Sequence, residues 1–441
     1  MEKLFVLMAV VLGIGHIFLM PTYSTPDERG HFSTAYYYSN IVLGEEPVDE
    51  DGNVLVRNED LLLNVENIRP SSATYGLIAD HLFDGSEDNT KVSYDRPPLQ
   101  ATFWAYLPQI IGITAARLLN MGNIGLLLLS RFLALAFYTG CIYFAIKLIP
   151  FGKSTMLAVA LLPMALEEGS SFSYDMTVNA LSFLFIGYVL YLAYEKKGAM
   201  LKDWIRMVVL MFFMAPIKVV YVLLAPLCLL IPEKNKKKYW IGTAGVIGSG
   251  AAACLFLRLT AIINVASTSG PGSSSSAIQT YTISDILSAP VRTVDILYNT
   301  LREMTDAILS PLFGQKLGYW DIFMPYYIVF GFVLVLLCSA IMSEKENVYV
   351  KSSHKALMLI LSLGMIGGVT LSMMLDFTDI SDTVIRGIQG RYFIPFLPLV
   401  LFLFRGKLVT ARKSLDRYIA IAVYMLNYFA LWRIFETVAV R

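Results

Sequence analysis

Cross-linking chemistry is missing from this chain. It has four cysteines, Cys141, Cys228, Cys254 and Cys338, and all four fall inside apolar runs. No polar loop carries one, so neither a disulfide framework nor a cysteine-based zinc site is implied. Charge is scarce as well: Asp, Glu, Lys and Arg make up only 16% of the 441 residues. No basic tract lies in a soluble stretch, which removes the usual footing for nucleic acid. Phosphate-loop, HExxH and Ser/His/Asp arrangements are absent. The nearest imitation is "GVIGSG" (245–250), which sits inside an apolar run with no strand before it. Close helix packing is the simpler reading there.

What the chain has in abundance is apolar surface. Hydrophobic residues make up 56% of the positions and the mean hydropathy is +0.60. Apolar runs recur at the length of about 17–25 residues that a helix needs to cross a bilayer core of roughly 30 Å. These features predict an all-α, polytopic integral membrane protein, with 1–441 as a single membrane domain. The first run, 4–20, follows Lys3 and reads as a retained anchor, because no small-residue cleavage site comes after it.

Lysine and arginine set the orientation. They cluster at Lys147 and Lys153, at Lys196, Lys197 and Lys202, at Lys234 with 236–238, at Lys345, Lys351 and Lys355, and over 405–417. By the positive-inside rule these loops are cytoplasmic, as is the N-terminus. The predicted crossings are 4–21, 124–148, 154–168, 176–194, a pair of short helices or re-entrant hairpin over 204–231 bending near "APIK" (215–218), 239–262, 324–342, 355–376, 392–405 and 416–438. Counting the short pair as two gives about eleven. Two external loops remain. The first, 22–122, carries fifteen acidic and six basic residues among aromatic and aliphatic ones. Within it 97–119 reads as an interfacial helix opened by Pro97 and Pro98. The second, 263–322, holds the flexible stretch "STSGPGSSSS" (267–276) and a surface helix over 283–310.

Polar residues gather at the outer helix ends. Asp27 and Glu28 follow the first crossing in "TPDERGHF", and Asp175 lies in the turn before 176–194. Trp320 and Asp321 precede 324–342, and Arg386, Gln389, Arg391 and Tyr392 precede or open 392–405. A charge at membrane depth costs about 2.5–3.5 kcal/mol even on the lenient insertion scale, so such groups pair or line a cavity. A shared external cavity is the economical reading. Simpler readings stand beside it. Asp27 would serve as a helix cap or a solvated acid, Asp175 as a cap, Arg391 as a snorkelling side chain and Trp320 as part of an interfacial belt. Glu167 and Glu168 are expected to face water. Lys218 is harder to dismiss, since it lies mid-hairpin among apolar residues. The chemistry open to the group is definite. A carboxylate can act as general base for a hydroxyl, with Glu28 and His31 orienting it or tuning its pKa, while arginine and lysine hold a lipid-linked phosphate as it leaves. His31 and His81 share the acidic loop, so a divalent metal is compatible with the sequence but weakly signalled, and the metal ligands stay unknown.

Motifs from residue 26 to 399 carry a resemblance. "PDERGHF" resembles the acid pair that follows the first helix in the glycosyltransferase C (GT-C) superfamily, multi-pass enzymes that move sugars from polyprenyl-phosphate carriers. "YDRPPL", "LPMALEEGSSFSYD", "LGYWDIFMP" and "QGRYFIPFLPL" are similar to the bacterial family called domain of unknown function 2142. The resemblance implies GT-C-like architecture with a long first external loop carrying interfacial helices. It also implies a bacterial plasma-membrane location with the active site on the extracytoplasmic face. The expected function is transfer of a sugar from a polyprenyl-phosphate-linked donor to an external polysaccharide or lipid-linked glycan, in contact with membrane lipids. It implies Asp27 as catalytic base with Glu28 and His31 in support, and Arg391, Lys218 and Arg96 at the donor phosphate. Tyr94, Asp95, Asp175, Trp320, Asp321, Gln389 and Tyr392 would line the substrate cavity. The rivals are a transporter or flippase of lipid-linked glycans and a non-catalytic envelope-assembly protein. A transporter would need polar residues along a crossing path, whereas only Lys218 and Arg131 lie deep.

Overall fold

The computed structural model describes every residue except 62–70, 269–278, 345, 347 and 408, and the side chains of 257–268 are also outside the description. Most of the expected flexible stretch 267–276, and Lys345 of one basic cluster, therefore lie outside the described residues. The chain is mostly helical. Among the described residues six helices are long and apolar enough to cross a membrane: Glu2–Leu19, Asn123–Leu148, Asp175–Glu195, Lys236–Phe256, Ser352–Asp376 and Asp416–Ala439. Val219–Leu230, Tyr326–Ser339 and Gly390–Leu403 are shorter apolar helices.

Proline and glycine decide where the helices break. The expected single helix over 154–168 is two, Lys153–Ala160 and Pro163–Gly169, because Pro163 has no N–H for the ladder and starts a new helix instead. The expected bend at 215–218 is present, between Leu201–Met214 and the tight 3-10 helix Val219–Leu230, which contains Pro226. The 97–119 helix is shorter than expected. Pro97 and Pro98 stay irregular, a 3-10 turn spans Phe103–Tyr106, and the α-helix is Leu107–Leu118 with Pro108 in its first turn. The surface helix of the second loop is split into Ile283–Ser288 and Pro290–Leu312 by another proline. "GVIGSG" lies within the helix Lys236–Thr268, in keeping with the packing reading.

Helix Asp175–Leu190 runs through the middle of the core and is buried almost throughout. It packs against Asn123–Leu148, Leu201–Met214 and the 3-10 helices Val219–Leu230 and Gly390–Phe396. Gly187 permits the first of these contacts, since a Cβ there would lie 2.8 Å from the Ala145 carbonyl oxygen. Buried there too are Glu167 and Glu168, 1% and 0% exposed, which corrects the expectation that they face water. The break at Pro163 turns their helix back into the core.

The first loop is a folded cap. A 16-residue helix, Glu28–Leu43, follows the first crossing directly and packs on Leu107–Leu118. Leu55–Arg57 pairs antiparallel with Lys91–Ser93, with Leu55 opposite Ser93. Ion pairs tie the cap together: Arg57 to Glu59 and Asp60, and both Arg117 and Lys91 to Glu45. In the second loop Lys316–Leu317 and Ile322–Phe323 form a small hairpin.

Candidate active site

The site is built where the cap meets four chain breaks. Asp27 is the residue before helix Glu28–Leu43, with φ of +62°, and its side chain makes no cap hydrogen bond. Its carboxylate reaches Arg391 instead, with Oδ2 2.9 Å from Nη2. That disposes of Asp27 as a helix cap. Arg391 is carried by the 3-10 helix Gly390–Phe396, and its guanidinium also donates to the Pro26 carbonyl at 3.5 Å. The preceding Gly390 is required by a close approach: a Cβ there would stand 2.3 Å from the Ile308 carbonyl oxygen.

Two further carboxylates converge on the same guanidinium. Arg391 Nε lies 3.4 Å from Asp175 Oδ2 and 3.6 Å from Glu168 Oε1. Asp175 opens its helix and also accepts from Lys218 at 2.5 Å, so its role as a mere cap is replaced by an ion-pair network. Lys218 stands 3.8 Å from the ring centre of Tyr392 and 5.1 Å from that of Tyr174. Asn179 donates to Glu168 Oε2 at 3.2 Å. Two cations and three acids thus share one buried knot, and Arg391 does not snorkel. Its side chain is 4% exposed, whereas that of Asp27 is 61% exposed. Asp27 is the one acid of the knot that faces outward.

Glu28 points the other way. Its carboxylate accepts from Arg131 Nε at 3.2 Å and from Nη2 at 2.8 Å on both oxygens, and Oε1 also accepts the Phe172 N–H at 3.2 Å. Both partners are buried. The expected help for Asp27 is corrected: this carboxylate is fully occupied in fastening the cap to helix Asn123–Leu148. His31 makes its hydrogen bond elsewhere. Its Nδ1 is 2.7 Å from the Tyr106 hydroxyl and its ring packs on Tyr174, so its hydrogen bond does not go to Asp27. Burial pushes its imidazole down to about 4, leaving it neutral near pH 7.

A polar pocket of about 290 Å³ lies over Asp27, lined by Tyr23, Thr25, Glu28, Arg29, Gly30, Arg96 and Tyr319. Tyr94 is buried beneath, its ring 5.6 Å from Phe32. A narrow cleft beside the knot is formed by Pro26, Lys316, Trp320, Gln389 and Arg391. Beyond it, an apolar groove of about 700 Å³ runs between helices Pro290–Leu312 and Ser352–Asp376 and is floored by Ile388, Phe393, Phe396, Leu397 and Val400. Left-handed backbone marks the region: of the six described non-glycine residues with positive φ, Tyr23, Asp27, Asp95 and Trp320 belong to these loops. Such strain persists where surrounding structure imposes it, commonly at functional sites.

The sequence-derived set therefore divides. Asp27, Asp175, Lys218, Arg391 and Tyr392 meet in the knot, Gln389 and Trp320 meet in the cleft, and Arg96 lines the pocket. Among the described residues no hydrogen bond or ion pair links Asp95 or Asp321 to the knot. Asp95 is exposed, and the Asp321 carbonyl faces Arg441 at 3.5 Å. Arg386 pairs with Asp382 away from the site. Sequence reasoning missed Glu168, Asn179, Tyr106 and Arg29. The one available signal was that "EEGSSFSYD" puts two acids just before Asp175 in an otherwise apolar stretch. Among the described residues no group of three His, Cys, Asp or Glu side chains could hold a metal ion, and His81 pairs with Asp84 at the surface.

Comparison with known proteins gives one match. A family model described as predicted membrane protein (DUF2142) matches residues 10–400. No curated protein and no solved structure matches the chain.

Proposed function

The chain belongs to the DUF2142 family of predicted membrane proteins, and we propose that it is a membrane glycosyltransferase drawing on a polyprenyl-phosphate-linked sugar. The supporting observation is the two-sidedness of one short segment. Gln389, Arg391 and Lys316 line the narrow cleft beside Pro26, while Ile388, Phe393 and Phe396 floor the apolar groove. A donor with a charged head and a long hydrocarbon tail matches that division. The tail lies in the groove, the phosphate rests at the cleft near Arg391 and Lys316, and the sugar projects towards Asp27.

In this reading Asp27 takes the proton of an acceptor hydroxyl. The hydroxyl oxygen attacks the anomeric carbon, the bond from that carbon to the phosphate oxygen breaks, and the lipid phosphate departs with the electron pair. Arg391 holds Asp27 Oδ2, which leaves Oδ1 for the acceptor, and it lies close to the departing charge. Asp175 and Lys218 fix Arg391 in place and are positioning residues. The GT-C-like architecture belongs to the same proposal. In it the shorter helices complete the six long ones to about eleven crossings, the N-terminus is cytoplasmic and Asp27 lies on the extracytoplasmic side.

The test is purified protein supplied with a radiolabelled polyprenyl-phosphate sugar and cell-envelope glycan. Wild type transfers label, and Asp27→Asn loses on the order of 100-fold or more, the usual worth of a general base. Full activity in Asp27→Asn removes the base assignment. Carrier movement across vesicles without transfer by wild type replaces the enzyme with a flippase.

A further inference from the structure

The first loop is rich in acids, and its cations are nearly all claimed by them. Arg57 is held by Glu59 and Asp60, and Lys91 and Arg117 by Glu45. Arg29 and Arg96 differ. Among the described residues neither has a carboxylate within salt-bridge reach, although Arg29 follows Glu28 directly. Glu28 is taken by Arg131. Both free guanidiniums line the 290 Å³ pocket over Asp27. Tyr23 lines it too, 3% exposed, with a buried hydroxyl that has no hydrogen-bond partner. The pocket also receives the first turn of the 16-residue helix Glu28–Leu43, an end that favours negative charge. Two unpaired arginines and a helix N-terminus in one pocket form an anion receptor.

We propose that this pocket binds an anionic group of the acceptor, a phosphate or a carboxylate, and so presents a neighbouring hydroxyl to Asp27. The inference rests on the reading of Asp27 as the base. The acceptor is the fitting source of the charge because the base must face the acceptor, and Asp27 is in this pocket's wall. Arg391 and Lys218 are paired with Asp27, Asp175 and Glu168, and neither lines this pocket. Arginine's planar fork suits both phosphate and carboxylate bidentately. The volume is at the small end of ligand sites, which run from about 300 to 1,000 Å³, and suits one sugar unit. The acceptor is then a glycan bearing a phosphorylated or uronic-acid-like residue next to the hydroxyl that is extended.

The experiment is thermal unfolding of the full chain in detergent, titrated with inorganic phosphate and with glucuronate. Glucose and sodium chloride at matched ionic strength are the controls. Wild type is expected to be stabilised saturably by at least one anion and by neither control. Arg29→Gln and Arg96→Gln should each weaken the apparent affinity by about tenfold or more, the worth of a hydrogen bond to a charged group. Lysine at either position should fall between. Asp27→Asn should still bind the anion, so a failure of the transferase reading would leave this binding result standing. No saturable shift with either anion overturns the proposal, as does a double glutamine variant that binds like wild type. Displacement of phosphate from Arg29 and Arg96 by farnesyl phosphate also overturns it, because the site would then belong to the donor.

Discussion

Replacing Glu28 by glutamine should unfold the cap from the membrane domain well before it alters any chemistry. Glu28 and Arg131 are both buried, at 0% and 2% side-chain exposure, and the guanidinium donates to both carboxylate oxygens. Removing the negative charge leaves a buried guanidinium with a neutral amide that offers one acceptor oxygen. Breaking a buried pair from one side costs about 3–5 kcal/mol. Glutamine retains one oxygen for Nη2 or the Phe172 N–H, so the low end, about 3 kcal/mol, applies. That is a large share of a typical folding free energy of about 5–15 kcal/mol. Substituting both partners with apolar residues of similar volume, Glu28→Leu with Arg131→Met, should recover most of the loss. The assay is reversible unfolding in mixed micelles of wild type, Glu28→Gln, Glu28→Leu, Arg131→Met and the double variant, the last three read with wild type as a double-mutant cycle and sugar transfer measured beside it. A Glu28→Gln protein that unfolds within about 0.5 kcal/mol of wild type, the scale of an ordinary surface substitution, and yet transfers no sugar would refute the reasoning. Glu28 would then be a chemical group, as its sequence neighbourhood first implied.

Other consequences can be measured with the same protein. His31 is buried neutral with its imidazole pushed down to about 4 from 6.5. The unfolded chain therefore binds more protons between those values, and stability should fall as pH drops through that window. Denaturant unfolding at pH 7, 5.5 and 4.5 should show that slope in wild type and a flatter one in His31→Gln. Lys218→Met removes the ammonium held 2.5 Å from Asp175 and should cost about 1.5–3 kcal/mol, the worth of a hydrogen bond between charged groups. A variant as stable as wild type would show that Arg391 alone neutralises Asp175. Gly390→Ala drives a methyl to 2.3 Å from the Ile308 carbonyl oxygen, so the melting curve should report a loss of about 1–3 kcal/mol as helix Pro290–Leu312 is pushed away.

The long crossings were legible because a run of apolar residues has few alternatives to a buried or lipid-facing helix. The bend at 215–218 was legible for a similar reason: two basic loops left too little chain for anything but a pair. Boundaries set by proline were harder. Pro97 and Pro98 have the look of a helix start, yet the chain waits for Pro108, since the residues between carry the connection from the strand Lys91–Ser93. Glu167 and Glu168 show a deeper limit. Helical phase read from sequence assumes one continuous helix, and Pro163 resets both phase and direction. Two acids that would have faced water in a straight helix are turned into the core, where Gly318 N–H donates to Glu167 and Asn179 donates to Glu168. Sequence likewise put Asp27 and Glu28 in one role because they are adjacent. On a helix N-terminus adjacent residues point apart, one towards the pocket and one towards Arg131.

That divergence is what makes Asp27 the distinctive acid of the knot. Asp175 and Glu168 share its guanidinium but are buried, and a buried carboxylate cannot meet an acceptor hydroxyl without opening the core. Asp27 is joined to the same cation from outside, through one oxygen, on a backbone held at positive φ by the loop and the helix that follows. Relaxing that backbone to an ordinary conformation would swing the carboxylate away from Arg391, so the strain and the ion pair hold each other. Strain of this kind costs of order 1–3 kcal/mol and persists only where the surroundings impose it. Here those surroundings are Glu28 fastened to Arg131 on one side and Gly390 wedged under Ile308 on the other. The groove is floored by the residues that follow Arg391 in the same 3-10 helix, so whatever fills it bears on the cation that aims Asp27. On the proposed reading, a tail in the groove and a reacting group at the carboxylate would both bear on this one short piece of backbone.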